Sequence, residues 1–382
     1  MLLVFKTVFW LSFGVIVYSY FLYPCFLIIF ARLFGRPANT GDDDYLPEIG
    51  VLVPAYNEEK VIKHKIESIL SMDYPADKLS VWVGSDCSDD ATDEIVKGIS
   101  DPRVRLWRSE RRGGKTGVIN ELTPQISSEI ILFTDANTMH RKDCLRVMVK
   151  HFADPQVGGV AGHIEHKASA ENENAETVYR SFESRQKFLE GQLHSSISAF
   201  GGFYAIRNKL FRPIPRNAYS NDDVLIPMNI IRQGYRIIYD LESVSEEDMT
   251  DKVSSEFQRR VRIGAGNFQS FFWLLDFFNP LRGWPCFCYI SHKVTRWFSP
   301  FFILFCLISC LGVVMLGGSQ MYKFLLSCGI IFSISGLLYH QVPLRMNRHI
   351  FYFFAMNLAL LLGSIRFAGG IKSAVWKRTE RA

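Results

Sequence analysis

The sequence predicts an α/β domain with a mostly parallel sheet, joined to one N-terminal and about three C-terminal transmembrane helices. Three observations predict it. Apolar residues, 48% of the 382, gather at the two ends, while the middle carries most of the Asp, Glu, Lys and Arg. Within that middle, short apolar runs alternate with stretches of helical periodicity, the pattern of parallel strands covered by helices on both faces. Acidic and polar residues then concentrate where strands end, which is where such sheets bind ligands.

The apolar ends come first. Residues 7–30 are apolar enough to cross a bilayer, which needs ~20 residues. The run is too long for a signal peptide, and no small-residue cleavage site follows. Arg32 and Arg36 place its C-terminal end in the cytoplasm. Further apolar segments cover 298–316, 324–338 and 350–365. His292, Lys293 and Arg296 precede the first of these, and Arg345 and Arg348 follow the second; both clusters fit the cytoplasmic side. A third full crossing carries the basic tail (Lys372, Lys377, Arg378, Arg381) outside, so that segment either spans or is short, tilted or re-entrant. Residues 268–290 are aromatic but include Asp276, Arg282 and two prolines, and are expected to lie in the interface. The expected division is an anchor at 1–36, a cytosolic α/β domain at 45–267, interfacial helices at 268–293, transmembrane segments at 294–370 and a basic tail at 371–382. Membrane lipid is thus one partner, and the plasma (inner) membrane the expected location.

Composition narrows the rest. The net charge of +5 suits anionic lipid and an anionic substrate, and is too diffuse for nucleic acid. The eight cysteines show no zinc-ligand spacing and are expected to be reduced, as in a reducing compartment.

Strands are expected at 49–54, 79–83, 104–107 and 129–133, with helices at 59–70 and 92–99. The first strand runs into Pro54-Ala55-Tyr56-Asn57-Glu58-Glu59, the second into Ser85-Asp86-Cys87-Ser88-Asp89-Asp90, and a later one into Thr134-Asp135-Ala136-Asn137. Turn and cap chemistry explains any one loop alone. Three successive acidic strand ends repel one another unless a cation or a donor-rich ligand joins them. Asp135 and Asn137, two apart at a strand end, can point the same way and hold a hard divalent cation through oxygen. Such ligands suit Mg2+ or Mn2+ rather than zinc. Arg111-Arg112-Gly113-Gly114-Lys115-Thr116-Gly117 is either a solvated basic loop or a diphosphate cradle of backbone N–H groups and Lys115; it is not a Walker A loop. Ser220-Asn221-Asp222-Asp223 either caps the following helix or supplies a general base, because a hydroxyl acceptor needs a carboxylate to take its proton as the bond forms. Gln258-Arg259-Arg260-Val261-Arg262 offers either lipid-facing charge or phosphate ligands.

In order and spacing, these strings resemble the family 2 glycosyltransferases, in the membrane-bound branch of cellulose-, chitin- and hyaluronan-synthase-like enzymes. Gly201-Gly202-Phe203-Tyr204-Ala205-Ile206-Arg207, Gly234-Tyr235-Arg236 and the tail Trp376-Lys377-Arg378-Thr379-Glu380-Arg381 add to the likeness. The resemblance implies a GT-A (nucleotide-diphospho-sugar transferase) fold and a metal-dependent, inverting hexosyltransferase using Mn2+ or Mg2+. Its donor would be a UDP- or GDP-sugar and its acceptor a lipid-linked or saccharide group near the membrane, in exopolysaccharide or glycolipid synthesis. By position, Tyr56, Glu58 and Asp86 would hold base and ribose, and Lys115 the diphosphate; Pro54, Arg259 and Arg262 belong to the same nucleotide-sugar-binding set. Asp135 and Asn137 would hold metal and donor, and Asp223 matches the catalytic aspartate, with Asp222 in place of the usual glutamate.

The chain also departs from the family pattern. Asn137 stands for the second Asp of Asp-x-Asp, and Ser85 and Cys87 for the usual Asp and Gly around Asp86. Ile263 falls where processive synthases carry the tryptophan of Gln-x-x-Arg-Trp. That last change favours single transfers over a processive polysaccharide synthase. An inactive membrane scaffold and a transporter are the readings from other classes, and an oligomer is compatible with all of them.

Overall fold

The computed structural model of the protein describes residues 1–167, 175–248, 253–342 and 344–371. Lys372, Trp376, Lys377, Arg378 and Arg381 of the basic tail lie outside the described residues. The chain divides into two compact units, a sheet unit (Phe30–Asn172 and Ser181–Lys252) and a helical unit (Met1–Ile29, Glu173–Arg180 and Val253–Gly370).

The chain begins with α1 (Leu2–Val17), a π-helical stretch at Tyr18–Leu22 and α2 (Tyr23–Phe34), a continuous apolar rod. Pro24 explains the wider turn: it donates no N–H, and its ring crowds the carbonyl one turn back.

The sheet unit then runs β1 (Ile49–Ala55), α3 (Ile62–Leu70), β2 (Leu79–Ser85), α4 (Thr92–Lys97), β3 (Val104–Arg108), α5 (Gly114–Leu122), β4 (Ile130–Thr134) and β5 (Thr138–His140). It continues with α6 (Cys144–Val149), β6 (Val157–Lys167), α7 (Ala175–Leu193), β7 (Phe203–Arg207), α8 (Asp222–Arg232) and β8 (Arg236–Asp248). The eight strands make one sheet in the order β3-β2-β1-β4-β7-β6-β8-β5. β3, β2, β1 and β4 are parallel, as the strand–helix alternation anticipates. β7 enters antiparallel to both β4 and β6, β8 runs parallel to β6, and β5 is antiparallel to β8, so the sheet is mixed.

Sequence pattern follows position. Central β1 is buried at all seven residues and reads as one apolar run, whereas edge strand β3 exposes Arg105 and Arg108. Ile62, Ile66 and Ile69 of α3 join the core of β1, β2 and β4. Strand order reverses between β1 and β4, the point beyond whose carboxyl ends open α/β sheets bind their ligands.

The helical unit continues through α9 (Val253–Trp273), short 3-10 turns at Leu275–Phe278 and Pro280–Arg282, α10 (Trp284–Cys288), α11 (Thr295–Trp297), α12 (Ser299–Met315), α13 (Gln320–Leu337) and α14 (Arg345–Ala368). Among the described residues, three helices are long and apolar enough to cross a membrane: Leu2–Phe34, Gln320–Leu337 and Met346–Ala368. A pair bent by 60°, Trp284–Trp297 with Ser299–Met315, makes a fourth if counted as one span. Pro300, near the start of α12, explains the break. All eight cysteines are free thiols.

Candidate functional site

The loops leaving β1 and β2 are stitched to each other. Asn57 N donates to Ser88 Oγ at 3.2 Å, and Asp89 N returns a bond to Asn57 Oδ1 at 3.0 Å. Glu58 N donates to Thr92 Oγ1 at 2.8 Å and Glu59 N to Asp90 Oδ2 at 3.2 Å. Pro54 is buried within β1, while Tyr56 and Glu58 are half-buried beyond its end.

Asp86 is fully buried, and its carboxylate organises the Gly-rich segment. Gly113 N donates to Oδ1 at 2.7 Å; Gly114 N and Arg112 Nε donate to Oδ2 at 3.0 and 3.1 Å. The two glycine amides that the sequence offered to a diphosphate therefore serve Asp86, because a buried carboxylate needs donors. Gly114 takes φ +71°, which only glycine adopts without strain. Arg112 also lays its guanidinium over the Tyr56 ring, 3.3 Å from its centre.

The second cluster forms around Lys115, in the first turn of α5. Its Nζ lies 2.9 Å from Asp135 Oδ1 and 3.1 Å from Asp222 Oδ2, and donates to the Gly201 carbonyl at 2.9 Å. Burial opposes its charge, but Asp135, Asp222 and Asp223 outweigh it and hold the pKa above the ordinary lysine value. The Tyr204 hydroxyl donates to Asp222 Oδ2 at 3.1 Å. Burial, then Asp222 and Asp223, push that phenol far above its usual range, so it stays a donor. Asp223 is half-buried beside Gly201, where an added Cβ would lie 3.8 Å from the Asp223 Cγ.

Ser220 (φ 75°) and Asn221 (φ 72°) turn the chain so that α8 begins with both aspartates, where the helix dipole favours their charge. The other non-glycine residues with positive φ among the described ones are Asn57 and Cys87. All four stand in loops of this region, and strained backbone of this kind clusters at functional sites.

Asn137 turns its Nδ2 to Glu247 Oε1 at 2.9 Å. Asp135 and Asn137 offer only oxygen to a cation, with Asp135 38% exposed. Among the described residues no three His, Cys, Asp or Glu side chains form a metal cage by themselves. Two protein oxygens with phosphate and water completing the shell is the usual mode for Mg2+. Asp135 and Asn137 supply donors of the type a hard cation takes along with a diphosphate, and Lys115 is the positive group that Asp135 and Asp222 share.

Behind the Asp135 turn lies a network that the sequence reading did not single out. Lys65, within the buried stripe of α3, is fully buried and donates to Thr134 Oγ1 at 2.8 Å and to the Thr138 carbonyl. His140 Nε2 is 2.8 Å from Lys65 Nζ, and its Nδ1 is 2.6 Å from Ser245 Oγ. Burial lowers the Lys65 pKa to about 7 against a weaker pull upward from Asp135. Burial, then Lys65, drives His140 well below its usual range. A lysine on the same helical stripe as Ile62, Ile66 and Ile69 was the available signal. Tyr204 stood only within the string at 201–207, and Glu247 gave no comparable signal.

Arg259 and Arg262 belong to the helical unit, both partly buried on α9, as is Ile263. Between the two arginines, Arg260 Nη2 donates to the Tyr352 hydroxyl at 3.4 Å.

Residues 50–212 match the family model described as glycosyl transferase family 2. A β-monoglucosyldiacylglycerol synthase from Synechocystis sp. is 35% identical over 130 residues, 32% of this chain and 27% of that one. A poly-β-1,6-N-acetyl-D-glucosamine synthase from Staphylococcus aureus is 23% identical over 247 residues, 63% of this chain and 58% of that one. The chain therefore spans less than two thirds of these curated relatives. A mannosyltransferase from Pyrobaculum calidifontis, solved in complex with GDP-Man and Mn2+, superposes with a TM-score of 0.73 at 21% identity, over 96% of this chain and 99% of that one. That likeness shows the fold, a GT-A-like mixed sheet with helices.

Proposed function

We propose that residues 50–212, which match the glycosyl transferase family 2 model, work as a glycosyltransferase domain, and that the chain moves a sugar from a UDP- or GDP-sugar to a hydroxyl of a lipid-linked or saccharide acceptor at the membrane surface, with inversion. The observation that carries this is the meeting of Asp135, Asp222 and Lys115, with Asp223 beside Gly201, beyond the end of β4 where strand order reverses.

The residues divide the work. Tyr56, Glu58 and Asp86, with Pro54, border the base and ribose; Asp86 acts by fixing the Gly113-Gly114 loop and Arg112. Lys115 takes the diphosphate, exchanging carboxylate partners for phosphate oxygens. Asp135 and Asn137 would hold Mn2+ or Mg2+, which when bound offsets charge on the leaving diphosphate. Asp223 accepts the acceptor hydroxyl's proton as the oxygen bonds to the anomeric carbon and the carbon–phosphate-oxygen bond breaks, its electron pair leaving on the nucleotide. Asp222, tied to Lys115 and Tyr204, orients that end of the site. Arg259 and Arg262 are assigned to the pyrophosphate by sequence position alone. Ile263, in place of a stacking tryptophan, favours one sugar per encounter, in glycolipid or exopolysaccharide assembly. The apolar helices and the Arg32 and Arg36 flank support a plasma (inner) membrane protein with a cytosolic sheet unit.

The test uses the full chain in detergent or nanodiscs with a panel of UDP- and GDP-sugars, Mn2+ and Mg2+ supplied separately, and nucleotide release and product length as readouts. Asp223→Asn should lower transfer by about 10²–10⁴-fold while nucleotide binding stays near wild type. Normal turnover in that variant refutes the assignment of the base. A ladder of long products refutes single transfer.

A further inference from the structure

We propose that Glu247 is a positioning residue that fixes the side-chain amide of Asn137 so that its oxygen, not its nitrogen, faces the cation. The inference rests on the metal role given to Asn137 above. An asparagine amide has a donating and an accepting end, and only the oxygen can ligate a hard cation. A carboxylate oxygen only accepts, so Glu247 can bind only the NH2 end. The contact is 2.9 Å, and Glu247 is 7% exposed, so little water competes for it. Backbone register holds the pair: Glu247 on β8 lies opposite Thr138 on β5, the residue after Asn137.

The pairing also explains why this position carries Asn. An aspartate at 137 would set one carboxylate against another, an arrangement that resists ionising both. Asn137 with Glu247 instead puts the single negative charge on the outer partner. Swapping the two chemistries, aspartate inside and glutamine outside, keeps the same net charge and restores a donor–acceptor bond of opposite sense.

That symmetry supplies the test. Mn2+ binding to the full chain is measured by titration calorimetry or electron paramagnetic resonance, with GDP or UDP present, for wild type, Glu247→Gln, Asn137→Asp and the double variant. Glu247→Gln should weaken Mn2+ binding by about tenfold, as loss of an outer-shell partner commonly does. Asn137→Asp alone should weaken it as well, despite offering a better ligand. The double variant should recover to within about threefold of wild type, a recovery a merely structural role does not produce. Melting without metal reports folding, and the isosteric Glu247→Gln should shift it little. Asn137→Asp binding as tightly as wild type, with no gain from the second change, overturns the proposal. Wild type that fails to bind Mn2+ in the presence of either nucleotide overturns the metal role itself. Wild-type binding with all variants alike overturns only the part given to Glu247.

Discussion

Two lysines flank the Asp135 turn, Lys115 with its side chain 19% exposed and Lys65 fully buried, and their surroundings drive them to opposite states. Lys115 faces Asp135 and Asp222 within 2.9 and 3.1 Å, and those carboxylates, with Asp223, overcome burial and keep it charged. Lys65 sits behind the same turn among neutral acceptors, Thr134 Oγ1, the Thr138 carbonyl and His140 Nε2, and burial lowers its pKa to about 7. The contrast shows how one residue type serves two purposes in one region. Where carboxylates converge, a lysine is a counter-ion that a diphosphate can claim. Where only neutral oxygens and an imidazole meet it, a lysine is a strut that holds a turn in shape.

Breaking the first half of the comparison should have the largest effect. Lys115→Met leaves Asp135 and Asp222 without their shared cation and removes the group assigned to the diphosphate. Turnover should fall by about 10²–10³-fold, the scale for losing one preorganised charge-stabilising group. Lys115→Arg should recover only part, since a planar guanidinium does not reproduce a compact ammonium between two carboxylates. Initial rates of nucleotide release check both, and near-normal rates for Lys115→Met would sink the assignment. Asp222→Asn sharpens the same half more gently. Removing one carboxylate lets burial pull the Lys115 pKa downward, so the alkaline limb of kcat/KM should move to lower pH, with a loss of about tenfold near neutrality. An unchanged alkaline limb would separate Asp222 from the control of Lys115.

The two lysines also differ in how visible they were from the sequence. Lys115 lies in a Gly-rich basic string beside acidic strand ends, and local composition marked it. The alternation of apolar runs and helical stretches likewise marked β1 to β4 and the carboxyl ends where such sheets bind ligands, because parallel strands buried on both faces leave a plain signature. β7 running antiparallel into the sheet was not visible, since a strand's direction depends on partners distant in sequence. Lys65 was not marked at all: it is a single charge on the stripe of Ile62, Ile66 and Ile69, and only the fold places Thr134, Thr138 and His140 around it. The glycine amides were misdirected for a similar reason: Gly113 and Gly114 are 27 and 28 residues from the carboxylate that claims them, and spacing alone cannot show such a contact. Asn137 read as a weakened Asp-x-Asp ligand; only Glu247, 110 residues away, gives that change a physical reason.

The second half of the comparison is tested by the pH dependence of stability, where smaller effects are expected. Lys65 has a folded-state pKa of about 7 against an ordinary 10.5. Between those values the unfolded chain holds a proton that the folded chain lacks, so this residue makes unfolding harder as pH rises. Its contribution is complete above 10.5 and is lost as pH falls towards 7, at roughly 1.4 kcal/mol or less per pH unit. Lys65→Met cannot titrate and leaves the Thr138 carbonyl short of a donor, a cost of about 1–3 kcal/mol. Wild type should therefore gain on the variant as pH rises from 7 to 10, with the variant holding its own or leading near pH 6. Denaturant midpoints of the two full-length proteins across that range check the sign. A gap independent of pH would mean that Lys65 remains charged in the fold, as Lys115 does, and the distinction between counter-ion and strut would fail at its second member.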